Sequence, residues 1–429
     1  MRVAVVGAGW AGAAAGVTAA QAGHRVTVFE AARTPGGRAR ALGVQGADGG
    51  ALTLDNGQHL LIGAYAACLR LMRTVGADPD ALFTRLPLAL SYPDGSGLVL
   101  PDAPPPWDAL AGIARARGWS WRERAALLAR AARWRLAGFT CAPEASVAAL
   151  CAGLPARPID ECIAPLCVSA LNTPLAQASG QVFLRVLRDS LFAGRGGSHL
   201  LLPRVDLGAL FPAPALAWLQ ARGHSVALGR RVQALARAGA GWSVDGAPFD
   251  AVLLACDSVE AARLAATSEA AAHERGALLA WAQCARALDF CAIATVYARQ
   301  PAARGALLAR PLLALRPRAT RPAQFVFDRG QLGGPAGLLA FVVSAFEGER
   351  QQLAREVLAQ AGEDLGLAEL ALVQTVVEKR ATFACTPALV RPPRAIAAGL
   401  QACGDYVAGP YPATLEGAVL HGVAAALDL

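Results

Sequence analysis

Lysine is almost absent from this 429-residue chain: Lys379 is the only one, so arginine carries nearly all of the basic charge behind the net +8. A basic balance admits nucleic acid or an anionic membrane surface as a partner. The sequence has no aromatic RNP-type strand, no zinc-finger spacing and no basic helix with heptads, so no nucleic-acid partner is expected. Beyond the N-terminal stretch no eighteen apolar residues run uninterrupted, although 55% of residues are hydrophobic and mean hydropathy is +0.37. A membrane-spanning helix is therefore not expected. The ten cysteines include no C-x-x-C pair. That leaves a metal site and a disulfide framework without support, and a reducing cytoplasm as the expected compartment.

What is present begins at once. Val3-Ala4-Val5-Val6 is an unbroken apolar run with β-branched bias, which suits a strand buried on both faces. It leads into Gly7-Ala8-Gly9-Trp10-Ala11-Gly12, an alanine-rich stretch to Ala22, a break at Gly23-His24 and a second strand-like run, 25–30. The unit reads as strand, turn, helix and strand with G-x-G-x-x-G in the turn. Gly7 permits the bend, Gly9 admits a pyrophosphate to the backbone, and Gly12 with Gly16 lets the helix sit close to the sheet. Glu30 follows at the spacing at which a carboxylate accepts hydrogen bonds from an adenosine ribose. These residues predict a dinucleotide site. Arg2 ahead of a long apolar run also imitates a secretory signal, but the glycine spacing and the strand ending in Glu30 point to a folded core.

Pro35-Gly36-Gly37-Arg38 forms a second glycine turn, where Gly37 allows close backbone approach and Arg38 offers a bidentate donor to phosphate. Asp55-Asn56-Gly57-Gln58-His59 sets a polar cluster between apolar runs. It reads as a ligand-facing turn or as one that satisfies itself, and His59 as a ligand contact or a packed side chain. Residues 107–138 are predicted helical and basic, with Leu127, Leu128, Ala131 and Trp134 on one face and Arg122, Arg130 and Arg133 opposite. Arginine with tryptophan suits a lipid headgroup layer, and also an amphipathic helix packed on its own domain. Helical pattern runs on from Val147 through Phe192, broken at Asn172-Thr173-Pro174.

A helix is predicted over 207–221 and strands over 225–228, 231–236, 242–244 and 250–255. The strand holding Val232 would lie where backbone groups meet an adenine. A mixed region follows, with helices near 261–279 and 348–361 and strands near 290–297, 324–327 and 338–343. Near the C-terminus a short strand runs into Gly404-Asp405, and a last helix opens at Thr414-Leu415. Gly404 suits close approach to a phosphate or ribityl chain, and Asp405 a ribityl hydroxyl. The helix aims its positive end at a negatively polarised ring edge.

Taken in order, Gly7-Gly9-Gly12, Glu30, Gly36-Gly37-Arg38, Gly404-Asp405 and the helix start at 414–419 resemble the amine oxidase/phytoene desaturase family of FAD proteins. Within it, the 55–59 cluster, Ser169-Ala170-Leu171-Asn172-Thr173-Pro174 and 412–418 are similar to the squalene-associated branch, the hydroxysqualene dehydroxylases. The resemblance implies an α/β fold: a Rossmann-like FAD-binding domain in stretches 1–85, 200–260 and 380–429, interleaved with an α+β substrate domain in 86–199 and 261–379. It implies reduction of hydroxysqualene to squalene by reduced FAD with loss of water, in hopanoid or related synthesis. FAD is expected to be held non-covalently, because no cysteine sits in a covalent-flavin motif. An isoprenoid substrate is implied, with His59 or Asp55 supplying or organising the proton.

No second G-x-G-x-x-G follows a strand, and Gly194-Arg195-Gly196-Gly197 lacks the third glycine, so the electron donor is expected to be external. Cys162 and Cys167 have the spacing of a flavin-reductase redox pair but the wrong place in the chain; buried thiols are expected. Lys379 lies too near Gly404-Asp405 to serve as the lysine that amine oxidases of this fold often place beside the flavin. The FAD residues do not fix redox direction, so an isoprenoid desaturase, or an amine oxidase, stays open. So does a non-catalytic isoprenoid carrier. The expected location is the cytoplasm, with peripheral contact at the inner membrane face if 107–138 lies on lipid.

Overall fold

The computed structural model describes residues 1–45, 50–192 and 194–429. The predicted first unit is present: strand Arg2–Val6, helix Trp10–Gln21 and strand Arg25–Phe29. They belong to a six-stranded sheet whose spatial order is Ser225–Ala227, Arg25–Phe29, Arg2–Val6, Ala251–Leu254, Leu400–Ala402 and Ala395–Ala397. All neighbours pair in parallel except the last two. Because successive side chains point to opposite faces, each strand serves two cores. Val3, Val5, Val26, Val28 and Leu253 share one with the Trp10–Gln21 and Leu415–Leu427 helices. Ala4, Val6, Phe29, Val252 and Leu254 belong to another that continues into the rest of the molecule. This is why the sequence shows apolar runs here and no alternation. The two helices touch through small residues: a Cβ on Gly422 would fall 2.2 Å from the Ala11 carbonyl oxygen.

A second, antiparallel sheet has the order Leu312–Ala314, Phe325–Asp328, Leu338–Phe346, Phe290–Arg299 and Ala371–Phe383. Helix Arg350–Leu365 covers one face, Leu353, Val357 and Ala361 packing with Val296, Phe341 and Val343. The other face, with Tyr297, Ala340 and Val342, belongs to the core that the first sheet shares with helices Ala164–Leu171 and Gly180–Leu191. Asn172, buried in the left-handed conformation at φ +47, ties these helices to the second sheet. Its Nδ2 donates to Thr382 Oγ1 at 2.9 Å and its Oδ1 accepts from the Ala345 N–H at 2.6 Å. Thr173 Oγ1 takes the Cys385 N–H at 3.2 Å. The Asn-Thr-Pro motif is thus a joint.

Several predicted elements differ in extent. The helical stretch 107–138 is two helices, Trp107–Ala114 and Trp121–Leu136, parted at Gly118 with φ +80. A capping box restarts it, Ser120 Oγ accepting the Glu123 N–H and the Glu123 carboxylate accepting the Ser120 N–H. The 207–221 helix is also two, because Pro212 opens a new one after Leu207–Leu210. The 261–279 helix is replaced by Ser258–Thr267 and Ala272–Arg286. Val232 precedes its predicted strand, which covers Leu235–Ala238. The Asp245 carboxylate takes the Gln233 and Ala234 N–H groups, at 2.9 Å each, in place of a ladder partner. Strand Ala371–Phe383 was not predicted and runs past the expected division at 379/380.

Candidate active site

The two glycine turns meet at the C-terminal edge of the first sheet. The Gly36 N–H donates to the Ala8 carbonyl at 2.9 Å, and Gly9 and Gly36 form an isolated parallel bridge. Gly7, at φ +113, and Gly12 admit no side chain: added Cβ atoms would lie 2.7 Å from the Ala255 carbonyl oxygen and 1.9 Å from that of Gly7. Gly9 differs, because a Cβ there would meet only the Gly36 oxygen and the Gly37 Cα, at 3.9 Å each. The space above Gly9 and Gly37 is a shallow backbone cradle. Gly9 caps helix Trp10–Gln21 without a side-chain bond, and no acidic residue stands in the first turn. The helix therefore presents its positive end uncompensated. Glu30 sits beside the turn, its carboxylate accepting the Ala8 and Ala32 N–H groups at 2.7 Å each. Val232 lies two residues after Arg230, whose N–H donates to the Glu30 carbonyl at 2.8 Å. Val232 is buried, and its carbonyl accepts from Arg263 at 3.0 Å.

Residues far apart in sequence close the other side. Arg38 donates to Asp405 Oδ1, and at 3.0 Å to the Ala381 carbonyl. Burial opposes the Arg38 charge, but the Asp405 carboxylate outweighs it and raises the guanidinium pKa. Gly404 abuts the ring of Tyr406, 2.7 Å from where a Cβ would stand. Tyr406 is buried, and its hydroxyl has no hydrogen-bond partner among the described residues. Thr414 caps the last helix, its Oγ1 accepting the Gly417 N–H at 3.0 Å and donating to the Tyr411 carbonyl at 2.8 Å. Leu415 is that helix's first residue and packs into the nucleotide-side core. Glu416 points away from any ligand role, taking the Ala67 and Cys68 N–H groups at 2.8 and 3.0 Å and so capping helix Ala66–Thr74.

The 55–59 cluster is a seam between the two sheets. Tyr297 Oη donates to the Asp55 carbonyl at 2.9 Å. The Gln58 N–H donates to Thr295 Oγ1 at 3.3 Å, and Asn56 Nδ2 donates to a Glu378 carboxylate oxygen at 3.2 Å. The Asp55 side chain is buried at 2% exposure and accepts the Leu207 N–H at 2.8 Å. Burial pushes its pKa up to about 6, against the Leu207 bond and Arg329, which lower it. His59 has Arg38 and Glu378 as charged neighbours. Its Nδ1 lies 2.7 Å from the Gly57 carbonyl and must donate, which leaves Nε2 as the open acceptor. Burial lowers the His59 pKa and so favours the neutral ring, against the Gly57 bond and Glu378, which raise it.

The structure therefore brings Gly7, Gly9, Gly12, Glu30, Gly37, Arg38, Gly404, Asp405 and Thr414 to one edge, with His59 beside Arg38. It places Asp55 in a separate setting around Leu207. Sequence reading missed Thr295, Tyr297 and Glu378, which hold the cluster from the second sheet, and Tyr406. The one available signal was the polar Thr295 and Tyr297 inside an otherwise apolar strand. Lys379 is exposed on its strand, and Cys162 and Cys167 are buried free thiols whose pKa burial raises to about 12.

The cradle over two glycines, the uncapped helix start and the orphaned Tyr406 hydroxyl fit a bound dinucleotide. Residues 11–429 match the family described as flavin containing amine oxidoreductase. The chain belongs to that family. It is an FAD-dependent oxidoreductase with a Rossmann-like FAD-binding domain. Among curated proteins it is similar to hydroxysqualene dehydroxylase of Rhodopseudomonas palustris, at 30% identity over 98% of this chain and 96% of that protein. The protein of the same name from Sinorhizobium fredii is 26% identical with the same coverage of each. A shorter match, 42% identical over 23% of this chain and 19% of the other, is to hydroxyneurosporene desaturase of Rhodobacter capsulatus. Among solved structures, an oxidoreductase from Methanosarcina mazei superposes with a TM-score of 0.74 at 16% identity, covering all of both chains. Cyclohexylamine oxidase from Brevibacterium oxydans gives 0.71 at 16% identity over 100% of this chain and 98% of that one. At that identity these likenesses speak for the fold alone.

Proposed function

We propose that this flavoenzyme reduces hydroxysqualene to squalene with loss of water, using non-covalently held, reduced FAD, in squalene or hopanoid synthesis. The observation that carries the reading is the full-length similarity to the hydroxysqualene dehydroxylase of Rhodopseudomonas palustris. It is joined to a site in which the 55–59 cluster is fixed beside the flavin-holding residues. When bound, the reduced flavin supplies hydride to the allylic carbon as the C–O bond breaks. The rest falls to the chain. The Gly9–Gly37 cradle and the helix start at Trp10 take the pyrophosphate, and Glu30 the ribose. Backbone near Val232 borders the adenine. Asp405, held by Arg38, takes a ribityl hydroxyl, and the Thr414-Leu415 helix start faces the polar ring edge.

The leaving hydroxyl needs a proton. That proton comes from solvent: His59 is assigned its relay, taking it up at the open Nε2 and passing it to the departing oxygen while Nδ1 keeps its bond to Gly57, and Asp55 is assigned the positioning of the segment that carries His59. The electron donor is external. The substrate domain comprises 86–199 and 261–379, and the FAD domain 1–85, 200–260 and 380–429. This division is supported by the first sheet, whose strands come from all three FAD stretches, except that strand Ala371–Phe383 carries the second substrate stretch on to residue 383. The cytoplasm, with contact at the inner membrane face, fits a water-insoluble substrate.

The second reading, dehydrogenation of an isoprenoid by oxidised FAD, rests on the local match to hydroxyneurosporene desaturase. An anaerobic single-turnover experiment separates them. Flavin reduced with dithionite is mixed with hydroxysqualene in detergent, and reoxidation and squalene are followed together. Stoichiometric squalene is expected; flavin that stays reduced in protein retaining FAD would favour the desaturase. His59→Ala with normal FAD content and undiminished turnover would withdraw the role given to His59.

A further inference from the structure

We infer that the outer faces of helices Trp107–Ala114 and Trp121–Leu136 form a docking surface for an anionic lipid bilayer. Along the second helix Trp121, Ala125, Ala129, Ala132 and Leu136 are all exposed. At 100° per residue they fall within an arc of about 80° and form a stripe about 22 Å long. Its ends are a tryptophan 72% exposed and a leucine 88% exposed, while Leu127 and Trp134 are buried on the opposite side. Exposed Arg122 and Arg133 border the stripe on one flank and Arg135 on the other.

The first helix repeats the arrangement. Trp107, Leu110 and Ala114 are exposed at i, i+3 and i+7, while Asp108, Gly112 and Ile113 are buried. The two helices pack on each other. The wheel drawn from sequence set Arg130 with the outward arginines. In the structure its guanidinium turns back to the Leu150 and Ala152 carbonyls.

Charge decides the occupant. Residues 107–138 hold seven arginines against Asp108 and Glu123. Asp108 is buried, and Glu123 is engaged in the cap of its own helix. An apolar stripe between two arginine flanks complements a headgroup layer. Guanidinium groups meet lipid phosphates while indole rings and Leu136 enter the acyl boundary. Among the described residues no helix is long and apolar enough to cross a membrane, so the helices lie along the surface. This gives the membrane contact of the functional reading its residues and its lipid class, and vesicle binding reads it without turnover.

The test is flotation of the full-length FAD-loaded protein with vesicles of phosphatidylcholine alone, or of phosphatidylcholine and phosphatidylglycerol at about 3:1. The protein is expected to float with the anionic vesicles and to be released as salt rises from about 0.1 to about 0.5 M. Trp121→Ser with Leu136→Ser is expected to lower the partition coefficient by about tenfold or more. Arg122→Ser with Arg133→Ser and Arg135→Ser is expected to remove the preference for phosphatidylglycerol. Unchanged flavin absorbance shows that both variants are folded.

Wild type that stays out of the anionic vesicle layer, or a Trp121/Leu136 variant that floats like wild type, overturns the proposal. So does equal flotation with both vesicle types. A dimer in sedimentation that the same two substitutions dissolve would assign the stripe to a second copy. Protein that floats as expected but makes no squalene keeps the surface and loses the substrate reading. Turnover of detergent-dispersed hydroxysqualene without flotation does the reverse.

Discussion

The glycine turns and the 55–59 seam border the same site but are held in different ways. At the turns, the backbone itself is the recognition surface: Gly7 and Gly12 are confined by carbonyl oxygens, and the open Gly9 leaves room for a ligand. At the seam, side chains do the holding, each from an element distant in sequence: Tyr297 on Asp55, Thr295 on Gln58 and Glu378 on Asn56. A backbone surface tolerates almost no substitution. A side-chain seam fails one bond at a time. The practical difference is that the first should lose its ligand abruptly and the second should lose stability and proton control by degrees.

Substitutions test that contrast. Gly9→Val should have the largest effect: the side chain fills the cradle without meeting backbone closer than 3.9 Å at its Cβ. The protein should fold yet bind FAD more than about 100-fold more weakly, because each 1.4 kcal/mol is a factor of ten. Flavin titration by fluorescence quenching measures this, and wild-type affinity in the variant would break the comparison. Asn172→Ala strands the Ala345 N–H and puts alanine at φ +47. Denaturant unfolding should show a loss of about 3 kcal/mol.

Asp55→Asn should act through pH. The Asp55 pKa is raised from 3.8 to about 6, so between those values the folded protein holds a proton that the unfolded chain has released. The stabilisation is complete below the lower value and gone above the upper one, a decline of about 3 kcal/mol at 1.36 kcal/mol per pKa unit. The variant keeps an acceptor for the Leu207 N–H and should lack this decline in melts taken from pH 4 to 7. An unchanged slope would remove Asp55 as its source. Glu378→Gln should be the mildest. It keeps an acceptor for Asn56 and costs under about 1 kcal/mol. It also removes a charge that raises the His59 pKa, so the His59 resonance followed by NMR should titrate at lower pH than in wild type.

The same contrast explains what could be read in advance. Gly7, Gly9, Gly12 and Glu30 carry their meaning within thirty residues, and the strand runs on either side are buried on both faces, so pattern and place agreed. The seam was visible only as a polar cluster. Its partners lie some 240 and 320 residues further on, at Tyr297 and Glu378. The strand that supplies Glu378 escaped notice because its burial does not alternate regularly and its pairing with Phe290–Arg299 shifts register twice. Asp55 looked catalytic as an acid in a polar run. That it holds Leu207 at a helix start is a fact of tertiary packing that no local pattern carries. The 107–138 stretch was legible in composition but not in orientation, since Arg130 turns inward to carbonyls of another segment.

The order of strands in the first sheet has a consequence for synthesis. Strand Arg2–Val6 lies against Ala251–Leu254, which in turn lies against Leu400–Ala402. That strand is thus made about 250 residues before its second neighbour exists, and about 390 residues before the sheet is complete. Until then the Trp10–Gln21 helix, buried almost all round in the finished protein, has no Leu415–Leu427 helix to cover it. Such long-range pairing folds slowly and exposes apolar surface on the way. The Arg38–Asp405 side of the site accordingly forms only after the Leu400–Ala402 strand has joined the sheet.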